Sequence, residues 1–331
     1  MHPAGTPRST VVVITWQGRE HLGACLDALG RQTRPHRVLV VDNASTDGTR
    51  ELLLEHPTRP VVLRTATNLG YAGGLAVALP QVHTPFMAWL NDDAAPEPDW
   101  LEELERTLDE QPSTAAATAT LITPTGSVQS SGVRLTAQGY GADRSQEGTD
   151  PPVEGSGTAT PSSDVPEVFG LCGGATLLRT SVLRAIGGVP AGFFCYYEDT
   201  DTSWRLRLAG HDVVWAPRAR ALHQHGVSTK PGSPRFHRWN ERNRLLMLLR
   251  CAPAEPAVRE LLRFAAITAL LPLRRLRGRV VPSAANFRVG LRLGVLVEVL
   301  GRLPAVLVER RRIGGRSRVP RQVVWQRWAG R

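Results

Sequence analysis

The apolar run 86–90 leads into Asn91-Asp92-Asp93, two adjacent carboxylates at its end. Adjacent carboxylates at the end of a buried strand repel each other unless a cation joins them. A hard divalent ion such as Mg2+ or Mn2+, carrying a ligand's phosphates, suits that pair. Two solvated loop acids ahead of Ala94-Ala95-Pro96-Glu97-Pro98 are the plainer reading. A second acidic group, Glu198-Asp199-Thr200-Asp201, comes straight after the aromatic run 193–197 and opens a helix. Acids there complement the helix dipole, yet three acids in four residues exceed what a cap requires. Asp201 and Arg205 stand at i, i+4 and can pair, which leaves Glu198 and Asp199 for a cleft. A carboxylate fixed at a helix start can take the proton of an attacking hydroxyl. His223 and His225 then offer nitrogen to a cation that the acids at 92–93 need help to hold.

Two further stretches suit a nucleotide. Asp42-Asn43-Ala44-Ser45-Thr46-Asp47-Gly48 places a carboxylate at a strand end, where a base or ribose is usually held; the same residues could simply cap the next helix. Asn68-Leu69-Gly70-Tyr71-Ala72-Gly73-Gly74 allows a backbone to approach a phosphate before a helix N-terminus, or makes a tight turn only. The first turn, Thr15-Trp16-Gln17-Gly18-Arg19, lacks the glycine fingerprint of a dinucleotide fold.

The elements that must carry these residues alternate. Strands are expected at 11–15, 38–42, 61–64 and 86–90, with helices at 22–30, from an N-cap near Ser45, at 72–79 and from Pro98. That is an α/β chain with a mainly parallel sheet covered on both faces, whose ligands gather beyond the carboxyl ends of the strands. Residues 141–166, rich in Gly, Pro, Ser, Thr and acids, read as a mobile surface insertion. A short strand is expected near 213–215. After about residue 240 the pattern turns helical and basic, with Pro253, Pro256, Pro272, Pro282 and Pro304 expected as breaks.

Charge divides the chain at the same place. Residues 251–331 hold 17 arginines and 4 acids, a net of +13, against −3 for residues 1–250. The division proposed is therefore a catalytic unit over 1–250 and a basic helical region over 251–331. Its arginines alternate with Leu, Val and Ile rather than with stacking aromatics, which favours an anionic membrane surface over nucleic acid; a helical packing or dimer surface is the competing reading. Cys25, Cys172, Cys195 and Cys251 are scattered without metal or disulfide spacing and fit a reducing cytosol. No apolar leader opens the sequence and no uncharged apolar run reaches spanning length, so neither secretion nor a transmembrane anchor is expected.

In this order, VVVIT, VLVVDNASTDGT, NLGYAGG, LNDDA, CGGATLLRTSVLRAIGG, FFCYYEDTDTSWRLRLAG and HQHGVS closely resemble family 2 glycosyltransferases with the GT-A fold, in particular the rhamnosyltransferase-like and galactofuranosyltransferase-like branch of bacterial cell-envelope assembly. The resemblance covers about residues 9–250. It implies a Rossmann-like sheet in which Thr15 and Asp42 hold the donor base, while Asn68 and the turn from Gly70 to Gly74 lie near the nucleotide and diphosphate. It makes Asp93 a ligand of the divalent cation with Asp92 beside it, although Asn91 stands where a full DxD motif has its first acid. It makes Asp199 the general base with Glu198 its neighbour, and His223, or else His225, the second protein ligand of the metal. Arg242-Asn243 in HRWNERNRLL also matches the family, in a role the residues do not disclose. The implied reaction transfers a sugar with inversion from a dTDP- or UDP-sugar, dTDP-rhamnose first, to a glycan or polyprenyl-linked acceptor at the inner face of the cell membrane. A nucleotidyltransferase would need a Gly-rich basic phosphate loop after its first strand, of which Gly18-Arg19 is a poor version. A non-catalytic nucleotide- or glycan-binding module would need neither the acids at 92–93 nor Asp199.

Overall fold

A computed structural model describes residues 5–145, 166–224 and 232–330. The β-branched run of β1 (Ser9–Thr15) leads into α1 (Leu22–Gly30), and β2 (His36–Asp42), α2 (Thr49–Glu55), β3 (Val61–Arg64), α3 (Gly70–Ala78) and β4 (Phe86–Asn91) continue the alternation. These four strands are parallel, in the order β3-β2-β1-β4. Every residue of β1 is buried, as a central strand covered on both faces must be.

Beyond β4 the sheet becomes mixed. The chain adds β5 (Ala94–Pro96), α4 (Trp100–Glu110), β6 (Thr114–Ile122), β7 (Val128–Ser130), the hairpin of β8 (Val133–Leu135) and β9 (Gly141–Asp143), then β10 (Ala175–Arg179), α5 (Thr180–Ala185), α6 (Glu198–Leu208) and β11 (Asp212–His223). Strand β10 inserts antiparallel between β4 and β6, and β11 runs parallel to β6 and antiparallel to β5. The register His223↔Ala94 sets the end of β11 beside the acids that follow β4.

Several expectations need correction. Helix α2 starts at Thr49 after a left-handed Gly48, because the Ser45 hydroxyl accepts the Gln17 N–H and Asp47 takes the Thr49 N–H instead. The last strand runs to His223 rather than stopping at 215, carried past Pro217 by a register shift between Trp215 and Arg220. Of the expected insertion, Gly141–Asp143 forms β9, and residues 146–165 lie outside the described residues, as does His225.

Four helices complete the chain: α7 (Pro234–Cys251), α8 (Ala254–Leu276), α9 (Val289–Arg316) and α10 (Arg321–Trp328). Three of the expected breaks fail. Pro256 sits in the first turn of α8, where no backbone donor is needed, and Pro272 and Pro304 lie inside helices that continue past them. Pro253 does precede α8, and Pro282 lies between α8 and α9. Among the described residues, no helix is long and apolar enough to cross a membrane.

The core has one cluster on each face of the sheet, and the larger runs from Val12, Ile14 and Trp89 through Leu245 and Leu248 to Phe264, Val295, Val299 and Val324. Residues after 250 thus complete the core of the sheet unit. Trp204 of α6 stacks on Trp325 of α10 at 5.9 Å.

Candidate active site

At the carboxyl ends of β1 and β4 a cavity of about 790 Å3 opens, lined by Thr15, Asn68, Gly70, Asp92, Asp93 and His223 on one side and by Gly173, Glu198, Asp199 and Trp239 on the other. The two acidic groups, far apart in sequence, share one space.

At the end of β4 each carboxylate meets a histidine. His21 Nε2 lies 3.2 Å from Asp92 Oδ2, and His223 Nε2 lies 3.1 Å from Asp93 Oδ1. The bond to Asp92 raises the His21 proton affinity against the cost of burial. Burial would push Asp93 up, but the hydrogen bond and charge of His223 hold it below the usual carboxylate range. The His223 ring is oriented from behind, since Nδ1–H points at Gln129 Oε1 at 2.9 Å and Asn91 Nδ2 approaches Nε2 at 3.0 Å. His223 Nε2 and Asp93 Oδ1 thus line the cavity side by side, 3.1 Å apart. One imidazole nitrogen and one carboxylate oxygen, with room for phosphate oxygens, suit Mn2+ or Mg2+. Among the described residues no group of three or more His, Cys, Asp and Glu could hold a metal by itself, so a ligand would have to supply the remaining oxygens.

The acids at the start of α6 are built differently. Asp201 is fully buried, pairs with Arg205 within α6 at 2.6 Å and braces α6 to α7 through Arg250 at 2.9 Å. The expected Asp201–Arg205 pair forms. Asp199 Oδ1 accepts the Thr200 N–H and hydroxyl, and Oδ2 accepts the Gly173 N–H at 3.1 Å, so the capping reading holds for one oxygen only. Tyr71 donates to the Gly173 carbonyl at 2.5 Å and so holds the same residue from its other side. Glu198 Oε2 is buried without a hydrogen-bond partner among the described residues. Burial raises the proton affinity of both acids, adding to mutual repulsion at Glu198 and outweighing the bonds from Gly173 and Thr200 at Asp199.

The loop ahead of α6 is strained: Phe194, Tyr196 and Tyr197 all have positive φ, at 67°, 71° and 69°. Asn243 Nδ2 donates to the carbonyls of Phe193, Cys195 and Tyr196 at 3.0, 2.8 and 2.8 Å, and Arg242 adds a bond to Phe193 at 2.7 Å. This supplies the role of Arg242-Asn243: the two side chains clamp the loop that aims Glu198 and Asp199.

On the donor side the expectations divide. Thr15 lines the cavity with a buried hydroxyl that has no partner among the described residues, as a ligand contact requires. Asn68 lines it too, its Oδ1 accepting the Gly70 N–H. Gly70 lines it with φ +70°, and a Cβ there would strike the Phe194 carbonyl at 2.2 Å, so its smallness serves the packing of α3 on the strained loop. Asp42 and Gly74 do not line the cavity. Asp42 is sealed, one oxygen accepting the Ser45 N–H at 2.9 Å and the other paired with Arg64. A Cβ on Gly74 would meet Ile14 at 2.7 Å, so this glycine lets α3 sit close on β1. Sequence reading missed His21, Tyr71, Gln129 and Gly173. Tyr71 and Gly173 stood inside quoted motifs without a role of their own and His21 lay two residues past the first turn, whereas Gln129 carried no signal.

The same architecture occurs in solved glycosyltransferases. A structure titled GalNAc-T7 with UDP, GalNAc and Mn2+ superposes with a TM-score of 0.59 at 10% identity, over 90% of this chain and 57% of its own. S. aureus TarS 1-349 in complex with UDP-GlcNAc gives 0.54 at 17%, over 94% and 84%. These likenesses define a GT-A glycosyltransferase fold. The sequence places it further: the description Glycosyl transferase family 2 matches residues 10–187, and the chain belongs to that family. Among its relatives, the N-acetylglucosaminyl-diphospho-decaprenol L-rhamnosyltransferase of Mycobacterium tuberculosis (strain ATCC 25618 / H37Rv) is 31% identical over 238 residues, 66% of this chain and 76% of the relative. Galactofuranosyltransferase GlfT1 of Mycolicibacterium smegmatis is 38% identical over 87 residues, 25% of this chain and 28% of its own.

Proposed function

We propose that this chain transfers a sugar, with inversion, from a nucleoside-diphosphate donor to a hydroxyl of a polyprenyl-diphosphate-linked glycan of the cell envelope. The observation that carries the reading is the cavity itself, which brings Asp93 and His223 together with Glu198 and Asp199. The likeness to the rhamnosyltransferase supports rhamnose as the first choice of sugar and a lipid-linked acceptor; a dTDP- or UDP-donor and the inner face of the membrane complete the proposal.

Asp93 and His223 would hold the divalent cation, with Asp92 kept beside them by His21. When bound, the cation would neutralise the charge that builds on the leaving diphosphate. Thr15 offers its hydroxyl to the donor's nucleoside end. Asp199, fixed by Gly173 and Thr200, takes the acceptor proton as its oxygen attacks the anomeric carbon opposite the diphosphate. One displacement inverts the centre. Glu198 lines the cavity beside Asp199.

The test is a thermal-shift panel of nucleotide sugars with and without Mn2+, followed by transfer to a synthetic prenyl-diphospho-N-acetylglucosamine. Expected are cation-dependent stabilisation by one donor, a product of opposite anomeric configuration, and loss of transfer in Asp199→Asn. Unchanged turnover in that variant would support the non-catalytic module instead.

A further inference from the structure

The end of α8 presents a feature the active site does not use. Leu276 is 84% exposed and Val280 97% exposed, and Leu273, also exposed, comes one turn earlier. Around them stand Arg274, Arg275, Arg277 and Arg279, all exposed. Along α8 the exposed positions Val258, Leu262, Leu273 and Leu276 recur at spacings that put them on one helix face. Among the described residues, twelve of the eighteen large apolar side chains left exposed lie from Val258 onward. Large apolar side chains in a single exposed cluster mark a contact surface.

The occupant follows from charge. Residues 261–297 contain seven arginines and no acid. A second copy docked symmetrically would set these arginines against their own kind. Nucleic acid would answer the charge but leave Leu276 and Val280 without a stacking or apolar partner. An anionic bilayer answers both, with arginines at the headgroups and leucine and valine at the acyl boundary. Position agrees. Glu298 of α9 bonds Arg238 and Arg242, and Arg310 bonds the carbonyls of Leu249 and Ala252, so α9 runs alongside α7 in the same direction. The connection before α9 therefore projects at the N-terminal end of α7, the end that lines the cavity with Ser233, Phe236 and Trp239.

We infer that the α8–α9 connection, centred on Leu276 and Val280 within its ring of arginines, is the element that seats this enzyme on an anionic membrane with the cavity mouth toward the lipid. The inference rests on the proposed function only in that a lipid-linked acceptor would be met there. The test is sedimentation of the full chain with vesicles of phosphatidylcholine alone or mixed with phosphatidylglycerol. The wild type is expected to partition onto the mixed vesicles, and Leu276→Asp with Val280→Asp to weaken this by about tenfold or more. Arg277→Ser with Arg279→Ser should lower the dependence on phosphatidylglycerol. Because the altered residues are exposed, melting temperature and nucleotide-sugar binding serve as controls and should not change. A wild type that stays in solution, an aspartate variant that sediments equally well, or a variant that instead abolishes a concentration-dependent dimer overturns the inference. None of these outcomes touches the effect of Asp199→Asn, so failure of the membrane contact and failure of the proposed reaction are separable.

Discussion

The acids at the end of β4 and those at the start of α6 share a cavity but not an environment. Asp92 and Asp93 each lie beside a histidine, and Asp93 is held below the ordinary carboxylate range. Among the described residues Asp199 accepts hydrogen bonds from neutral donors and Glu198 keeps an oxygen without a partner, and burial raises both. On the proposed function, the same functional group would be prepared for two tasks by its neighbours: staying ionised to meet a cation, and keeping enough basicity to receive a proton. The contrast also explains why one site sits on a rigid strand end and the other behind a strained loop. On that reading the strand end would need only to keep two charges still, whereas the loop would have to aim a base at a substrate atom, with Asn243 tying three of its carbonyls.

The comparison breaks most visibly at Asp199. Asp199→Asn should lower turnover by about 10³-fold while donor affinity stays within about twofold, as measured by calorimetry beside initial rates, since a general base contributes 10²–10⁴. Asp93→Asn and His223→Ala should instead remove the Mn2+-dependent part of donor binding and about 10²-fold of the rate, a loss of the order seen when one electrostatic contact to the developing charge is deleted. If Asp93→Asn leaves cation-dependent binding intact, the division of labour is wrong. Tyr71→Phe acts more weakly, through Gly173. It should cost about tenfold in turnover with donor affinity kept, the order of one net hydrogen bond. It should also shift the acid limb of the pH profile upward, because a looser Gly173 N–H favours the charged form of Asp199 less. An unmoved acid limb would separate Tyr71 from the base.

Much of this arrangement was legible in the chain. The β-branched runs, their helical partners and the two acidic groups gave the parallel half of the sheet and the convergence at its carboxyl edge. What escaped notice has physical reasons. Strand β6, Thr114-Ala-Ala-Ala-Thr-Ala-Thr, is buried throughout and so shows no alternation to read, although its small residues are what allow β10 and β11 to flank it. Asp42 has the motif of a base-binding acid, but only three dimensions show Arg64 sealing it. Pro272 and Pro304 failed as breaks because helices packed on a shared core tolerate a missing hydrogen bond that an isolated helix would not. The clamp of Arg242-Asn243 on a loop nearly fifty residues away is a long-range contact, and no spacing along the chain encodes it.

The smallest effect is on stability, and its sign is the sharper test of the contrast. A carboxyl whose proton affinity is raised by folding favours the fold in its protonated form. Its contribution is complete below the unfolded-state value and is lost as pH rises through the folded one. Glu198 is such a group, so at neutral pH the native enzyme carries a burden that a neutral amide of the same shape does not. Glu198→Gln should therefore raise the melting temperature by roughly 2 °C at about pH 8, the shift that ~1 kcal/mol produces in a chain of comparable size, with the gain disappearing toward about pH 4. Differential scanning calorimetry across that range decides it. A gain that grows toward acid would mean that Glu198 is ionised and partnered in the fold, and the two acidic groups would then be alike rather than opposed.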